Sequence, residues 1–158
     1  MAIDVWLLRH GDAEPHGSRS DAQRRLTEPG RDQARAAGQA LAALGLKFDV
    51  VYSSPKVRAW DTAVLACSAL ETDPVEHQPL TGRVDPSEVK ALLHAADSGR
   101  IMLVGHDPYL SQLVHDVTGA RVRLSKGGIA GIRLLAAPGD LAVLLRPKEI
   151  ALLARADA

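Results

Sequence analysis

Ile3-Asp4-Val5-Trp6-Leu7-Leu8-Arg9-His10-Gly11 is the stretch on which the fold turns. The apolar run from Ile3 to Leu8 reads as a buried strand. It gives way at once to an arginine, a histidine and a glycine, and then to a polar, irregular segment. A guanidinium can grip a dianion, a glycine lets backbone come close to it, and an imidazole can attack phosphorus. The tripeptide alone is weak, but two further segments supply the rest of such a site.

Outward from this strand, strand-like and helix-like patterns alternate along the chain, with no linker, repeat or low-complexity segment. That order predicts an α/β fold: a three-layer αβα sandwich on a mostly parallel sheet with an antiparallel edge strand, forming one domain over residues 1–158. After a polar segment from Asp12 to about Arg25, Thr27 is the expected N-cap of a helix carrying Ala34, Ala37, Leu41 and Leu44, closed by Gly45. Val50-Val51-Tyr52 is a short strand. Ser54-Pro55 reads as N-cap and first position of a second helix, whose buried stripe is Val57, Trp60, Val64 and Cys67. Val75 to Pro79 is a candidate edge strand, and Pro86 to Ala96 a third helix with Val89, Leu92 and Leu93 inward. Ile101-Met102-Leu103-Val104 is a continuous apolar run, as expected of a central parallel strand. Asp107-Pro108 then opens a helix with Leu110, Leu113, Val114 and Val117 inside. Ile129 to Leu135 and Leu141 to Arg146 form a hairpin turned by Ala137-Pro138-Gly139-Asp140, and the residues after Pro147 are left unassigned.

Three segments share one design, a strand followed by a polar switch. They are Leu8-Arg9-His10-Gly11, Tyr52-Ser53-Ser54-Pro55-Lys56-Val57-Arg58 and Val104-Gly105-His106-Asp107. On parallel strands the three switches fall at one sheet edge, where open α/β sheets bind ligands. The expected site is therefore Arg9, His10, Arg58 and His106. Arg58 lies in the first turn of its helix, so guanidinium and helix terminus face the same anion. Two arginines and a donating histidine suit the three equatorial oxygens of a phosphoryl group, with His10 as nucleophile. Its attack requires the neutral ring, favoured by nearby arginines, with the other ring nitrogen donating to a carbonyl.

Composition narrows the field. Nineteen basic and nineteen acidic residues give no net charge, and aromatic residues make up only 3%. Neither nucleic acid nor an anionic membrane is an expected partner. Cys67 is the only cysteine, which excludes an internal disulfide or a thiolate metal cluster; a buried, inert thiol is expected. No leader pattern or membrane-length apolar run is apparent, so a soluble, cytoplasmic protein without metal or cofactor is the expectation.

The three motifs together resemble those of the histidine phosphatase superfamily, the group that includes the phosphoglycerate mutases. Arg9-His10-Gly11 matches its opening motif, Arg58 its arginine after a Ser-Pro helix start, and Gly105-His106 its second histidine. Leu26-Thr27-Glu28-Pro29-Gly30 is similar to its Leu-Thr-x-x-Gly helix start. Within the family the chain resembles the small SixA-like phosphohistidine phosphatases: Gly11 is followed by Asp12-Ala13, and the segment after Leu80 is too short for a covering insertion. The mutase branch carries a proton-donating glutamate shortly after its third strand. Here Gln78-Pro79-Leu80-Thr81-Gly82-Arg83-Val84-Asp85 has no carboxylate in that place, leaving Asp85 and Asp12 as candidate proton donors. An alkoxide leaving group needs a proton, whereas the imidazole of phosphohistidine leaves more easily. The resemblance implies a phosphoglycerate mutase-like fold and hydrolysis of phosphohistidine on a partner protein through a covalent intermediate on His10.

Three alternatives stand beside this expectation: a phosphatase of small phosphomonoesters, a non-catalytic phosphate-binding module, and a metal hydrolase prompted by His10-x-Asp12 and His106-Asp107. Two adjacent arginines oppose a cation there. Lys126-Gly127-Gly128 is either a phosphate-contacting loop or a simple connection. His16, His77, His94 and His115 have no partners at convincing spacing and read as surface residues, as do Arg24 and Arg25, unless these arginines help dock an anionic partner.

Overall fold

The computed structural model describes residues 4–96 and 99–156. β1 (Asp4–Arg9), β2 (Val50–Ser53), β3 (Pro74–Glu76) and β4 (Arg100–Gly105) run parallel; β5 (Ile129–Arg133) and β6 (Asp140–Leu145) complete one six-stranded sheet in the order β3-β2-β4-β1-β5-β6. β5 is the reversed strand, and edge strand β6 pairs antiparallel with it. The expected mixed α/β sandwich is therefore present.

Alternation along the central strands sends side chains to both faces. Trp6, Leu8, Met102 and Val104 enter a core covered by α1 (Glu28–Ala43), α2 (Val57–Leu70) and α5 (Pro147–Arg155). Val5, Leu7, Ile101 and Leu103 enter the core under α3 (Pro86–Ala95) and α4 (Tyr109–Thr118). Both faces of β1 and β4 are thus buried, which is why their sequences are continuous apolar runs.

Several sequence expectations are corrected. The buried face of α2 is Arg58, Ala59, Thr62, Ala63, Ala66 and Cys67, whereas Val64 is exposed. Small residues win this face because α1 comes very close: a Cβ on Gly38 would stand 2.2 Å from the carbonyl oxygen of Ala66. Leu44 is likewise exposed, as the C-cap of α1. Helix α2 begins at Val57 with Lys56 as N-cap, and Ser54 does not cap it. Its hydroxyl accepts from the Lys56 amide at 3.2 Å and pairs with His106 Nε2 at 2.8 Å. The unassigned C-terminal stretch is helix α5. Pro147 starts it, Glu149 accepts from the Arg146 amide at 3.1 Å across its first turn, and Ile150 is buried on the α1 side of the sheet. The candidate edge strand is only Pro74–Glu76, and Pro79 belongs to a 3-10 turn, Gln78–Thr81.

Candidate functional site

The sheet register sets the three switches side by side. Arg9 is level with Gly105, and Ser53 with Val104. Beyond the last pairs, the His10 amide donates to the Gly105 carbonyl at 3.0 Å and the Ser54 amide to the Val104 carbonyl at 3.0 Å. All four expected residues, Arg9, His10, Arg58 and His106, line one pocket of about 240 Å³. The rings of His10 and His106 lie 5.2 Å apart between centroids.

Two glycines fix how the His10 turn meets α1. A Cβ on Gly11 would approach the Gly30 carbonyl oxygen to 2.4 Å, and one on Gly30 would approach that of Asp12 to 1.9 Å. No side chain fits at either position, so the glycines of Arg-His-Gly and of Leu-Thr-x-x-Gly are two halves of one contact. Thr27 caps α1 by accepting from the Gly30 amide at 3.1 Å and donates its hydroxyl to Asp12 Oδ2 at 2.8 Å. From below, Thr62 of α2 accepts from the Gly11 amide at 3.1 Å and donates to the Arg58 carbonyl at 2.7 Å.

His10 is buried, and its Nδ1 lies 2.7 Å from the Gly11 carbonyl oxygen. A carbonyl only accepts, so Nδ1 carries the proton and Nε2 keeps its lone pair. Burial above all, then Arg58, Arg9 and Arg24, pushes the pKa of His10 down to about 4. Burial, His10, Arg58 and Lys56 push His106 down to about 3. Both rings are neutral at ordinary pH.

Four buried side-chain polar atoms among the described residues lack a hydrogen-bond partner. One is Asp4 Oδ1, at the far end of β1; the other three are Arg9 Nε, Arg58 Nε and His106 Nδ1. Buried polar groups without partners are costly, and three of them on the walls of one pocket suit an anionic occupant.

The structure adds members that the sequence did not single out as site residues. The polar segment folds back through an Ala13–Leu26 bridge and a 3-10 turn, Asp21–Gln23. This buries Arg24 in the pocket wall while Arg25 stays exposed. Arg24 Nη1 donates to the Glu14 carbonyl at 2.7 Å, and its Nε and Nη2 donate to Asp21 Oδ1 at 3.2 and 3.1 Å. Asp21 also accepts from Lys56 Nζ at 2.9 Å and Arg58 Nη2 at 3.2 Å, while its carbonyl takes Arg58 Nη1 at 2.7 Å. These cations, Lys56 foremost, hold the Asp21 carboxyl well below its ordinary range. Glu14, His16, Asp107 and Lys126 complete the polar rim. His77, by contrast, pairs with Glu88 at 3.1 Å, away from the pocket.

Neither candidate proton donor is among the residues lining the pocket. Asp85 is the exposed N-cap of α3, accepting from the Glu88 amide at 3.0 Å, and its pKa is lowered chiefly by the Ser87 hydroxyl. Asp12 is bonded by Thr27 and by Lys126 Nζ at 3.3 Å, and its pKa is lowered chiefly by Thr27. Cys67 is buried and its thiol is pushed up to about 12 by burial. No helix among the described residues is long and apolar enough to cross a membrane.

The family model described as histidine phosphatase superfamily (branch 1) matches residues 5–83. An uncharacterized protein of Picosynechococcus sp. is 32% identical over 161 aligned positions, covering 92% of this chain and 98% of that protein. The mitochondrial serine/threonine-protein phosphatase Pgam5 of Drosophila ananassae is 43% identical over 72 residues, covering 46% of this chain and only 25% of that protein. Among solved structures, the protein histidine phosphatase SixA complexed with tungstate superposes with a TM-score of 0.79 at 23% identity, over 94% of this chain and 99% of that one. At that identity the likeness speaks for the fold. The chain belongs to the histidine phosphatase superfamily, branch 1, and has the SixA-like form of its fold.

Proposed function

We propose that this protein hydrolyses phosphohistidine displayed on a partner protein, through a covalent phosphohistidine on His10, without metal or cofactor. The observation that carries the proposal is the pairing of a neutral His10, with Nε2 unprotonated, and three unsatisfied buried polar groups on Arg9, Arg58 and His106. In the first step the Nε2 lone pair attacks phosphorus in line. The bond from phosphorus to the substrate imidazole breaks, and its electron pair leaves with that ring. Arg9, Arg58, Arg24 and His106 hold the equatorial oxygens, where charge is concentrated in the transition state. In the second step water attacks phosphorus, the bond to Nε2 breaks and its electron pair returns to that nitrogen, and the water protons leave with inorganic phosphate, restoring neutral His10.

The choice of a phosphoramidate rests on the missing acid. The pocket wall contributes Glu14, itself bonded by the Arg25 amide and by Arg19, each at 2.9 Å, and held below its ordinary pKa chiefly by that amide. The other carboxylate of the pocket wall, Asp107, is taken up by the Ser111 amide at 3.0 Å and the Ser111 hydroxyl at 2.6 Å. An imidazole that is already protonated leaves without an acid. A cytoplasmic setting accords with a protein substrate of this kind.

The alternatives are a small phosphomonoester substrate and a phosphate-binding module without turnover. The deciding experiment is a substrate panel on wild type and His10→Ala, comparing a phosphohistidine protein with sugar phosphates, together with acid-labile trapping of phosphate on His10. The expected result is fast phosphohistidine hydrolysis, at least a hundredfold above sugar phosphates and lost in the variant. Robust turnover by His10→Ala would contradict the nucleophile. A preference for sugar phosphates would contradict the substrate.

A further inference from the structure

We propose that Ser54 is a positioning residue that fixes His106 in its Nδ1–H form, so that the second histidine meets the phosphoryl group as a neutral hydrogen-bond donor. The inference rests on the phosphate-binding role given to His106 above and adds what sets the proton on that ring.

The argument is a count of protons. Ser54 is fully buried. Its oxygen accepts from the Lys56 amide at 3.2 Å, a bond whose direction is not in question because an amide can only donate. The one other side-chain partner of that oxygen among the described residues is His106 Nε2, at 2.8 Å. A hydroxyl has one proton and two lone pairs. If His106 Nε2 carried a hydrogen and donated it to Ser54, both lone pairs would be used and the hydroxyl proton would have no acceptor among the described residues. If Ser54 instead donates to an unprotonated Nε2, the hydroxyl is satisfied as donor and as acceptor. Each arrangement leaves one buried donor without a partner among the described residues, the Ser54 hydroxyl in the first and His106 Nδ1–H in the second; the first also strands the Nδ1 lone pair, and only in the second does the donor belong to a residue that lines the pocket, where an anion can take it.

The neutral ring then carries its remaining proton on Nδ1. That nitrogen is buried and has no partner among the described residues. An unprotonated Nδ1 would present a lone pair to phosphate oxygen and repel it; Nδ1–H is the form that binds. The two pocket histidines are thus set by different means to the same tautomer for opposite tasks. In His10 the Gly11 carbonyl takes the Nδ1 proton and leaves Nε2 as nucleophile. In His106 the Ser54 hydroxyl occupies Nε2 and leaves Nδ1–H as donor. This also accounts for a Ser-Pro sequence that does not cap its helix: the hydroxyl is engaged across the sheet edge, 52 residues away in sequence.

The test is long-range 15N–1H NMR of the imidazoles near pH 7, with His106 assigned through His106→Gln, on wild type, Ser54→Ala and Ser54→Thr. Each is also titrated with inorganic phosphate. Expected are an Nδ1–H tautomer for His106 in wild type, its loss in Ser54→Ala with about tenfold weaker phosphate binding, and recovery of both in Ser54→Thr. An Nε2–H tautomer in wild type would overturn the proposal even if no variant folded. So would a folded Ser54→Ala with unchanged tautomer and phosphate affinity. Neither readout uses a phosphohistidine substrate, so a wrong substrate class would leave the result intact.

Discussion

Replacing Asp21 with asparagine removes one charge and almost no volume, and the structure allows the consequence to be sized. The carboxylate gathers Lys56, Arg58 and Arg24 within 2.9–3.2 Å. The two guanidinium side chains are only 6% and 9% exposed, while Asp21 itself is 45% exposed. An exposed ion pair contributes about 0–1 kcal/mol. Stranding a buried charge costs about 3–5 kcal/mol. A half-solvated anion serving two buried cations falls between these, at about 2 kcal/mol, because water screens part of the interaction and the asparagine oxygen still accepts one hydrogen bond. Asp21 titrates lower in the folded protein than in the unfolded chain. Its contribution is therefore present above the unfolded value, about 3.9, and fades as pH falls through the folded one. Urea unfolding of wild type and Asp21→Asn should show a constant gap of about 2 kcal/mol between pH 5 and 8 that narrows below about pH 4. Phosphate at a hundred times its dissociation constant, by linkage, should restore about 2.7 kcal/mol to the variant. A gap below about 0.5 kcal/mol at neutral pH, the range of ordinary surface substitutions, or one that persists unchanged at pH 3, would refute the account of Asp21 as counter-charge to the pocket.

Two further predictions concern the histidines and the glycine contact. His10 and His106 titrate near 4 and 3 in the folded protein, below the ordinary histidine value of 6.5. The unfolded chain therefore binds more protons in that window, and stability should climb from about pH 4 to 6.5 with a slope of up to about 1.4 kcal/mol per pH unit for each ring, then level off. The slope should drop by one ring's share in His10→Ala or His106→Ala, and kcat/KM should not fall between pH 7 and 5; a wild-type activity loss centred near 6.5 would contradict the neutral rings. Gly30→Ala places a methyl 1.9 Å from the Asp12 carbonyl oxygen. It should destabilise by about 1–3 kcal/mol or more and lower kcat, whereas Gly17→Ala, which has open space but a positive φ of 91°, should spare kcat.

What could be read from the sequence depended on how local its cause was. β1 and β4 are legible because burial on both faces imposes continuous apolar runs, and their polar ends fall level once the strands are parallel. Arg9, His10, Arg58 and His106 follow from that placement. The buried face of α2 departs from a stripe of large apolar residues because the close crossing with α1 selects small ones, as where Gly38 of α1 meets Ala66. Helix α5 is not legible from a cap because its N-cap, Arg146, has no side-chain acceptor; Glu149 instead accepts from the Arg146 amide and guanidinium. Arg24 was hidden in a segment without periodicity, and its burial depends on a loop whose anchors, Glu14 and Asp21, lie ten and three residues before it. The hint was proximity to Leu26-Thr27, which ties that loop to the helix start. Ser54 departs from its capping expectation for the opposite reason: Ser-Pro is a strong local capping signal, and the partner that overrides it is distant in sequence.

The electrostatics that keep His10 neutral also act on the carboxylates around the pocket. Arg58, Arg9 and Arg24 lower the pKa of His10 by opposing another positive charge. Cations and hydrogen-bond donors around the site act on carboxyl groups with the reverse consequence, since they favour the charged form. Asp21 is held ionised by Lys56, Arg58 and Arg24, Asp12 by Thr27 and Lys126, and Glu14 by the Arg25 amide and Arg19. A carboxylic acid able to protonate an alkoxide needs an apolar surrounding that raises its pKa, and such a surrounding is incompatible with a pocket lined by three arginines that must grip a dianion. A phosphatase can escape this conflict by placing its acid on an insertion away from the cradle, or by taking a substrate whose leaving group carries its own proton. In this chain the segment that follows β3 supplies Asp85 as a helix cap at the surface and no other carboxyl before α3. The second route is the one its residues fit.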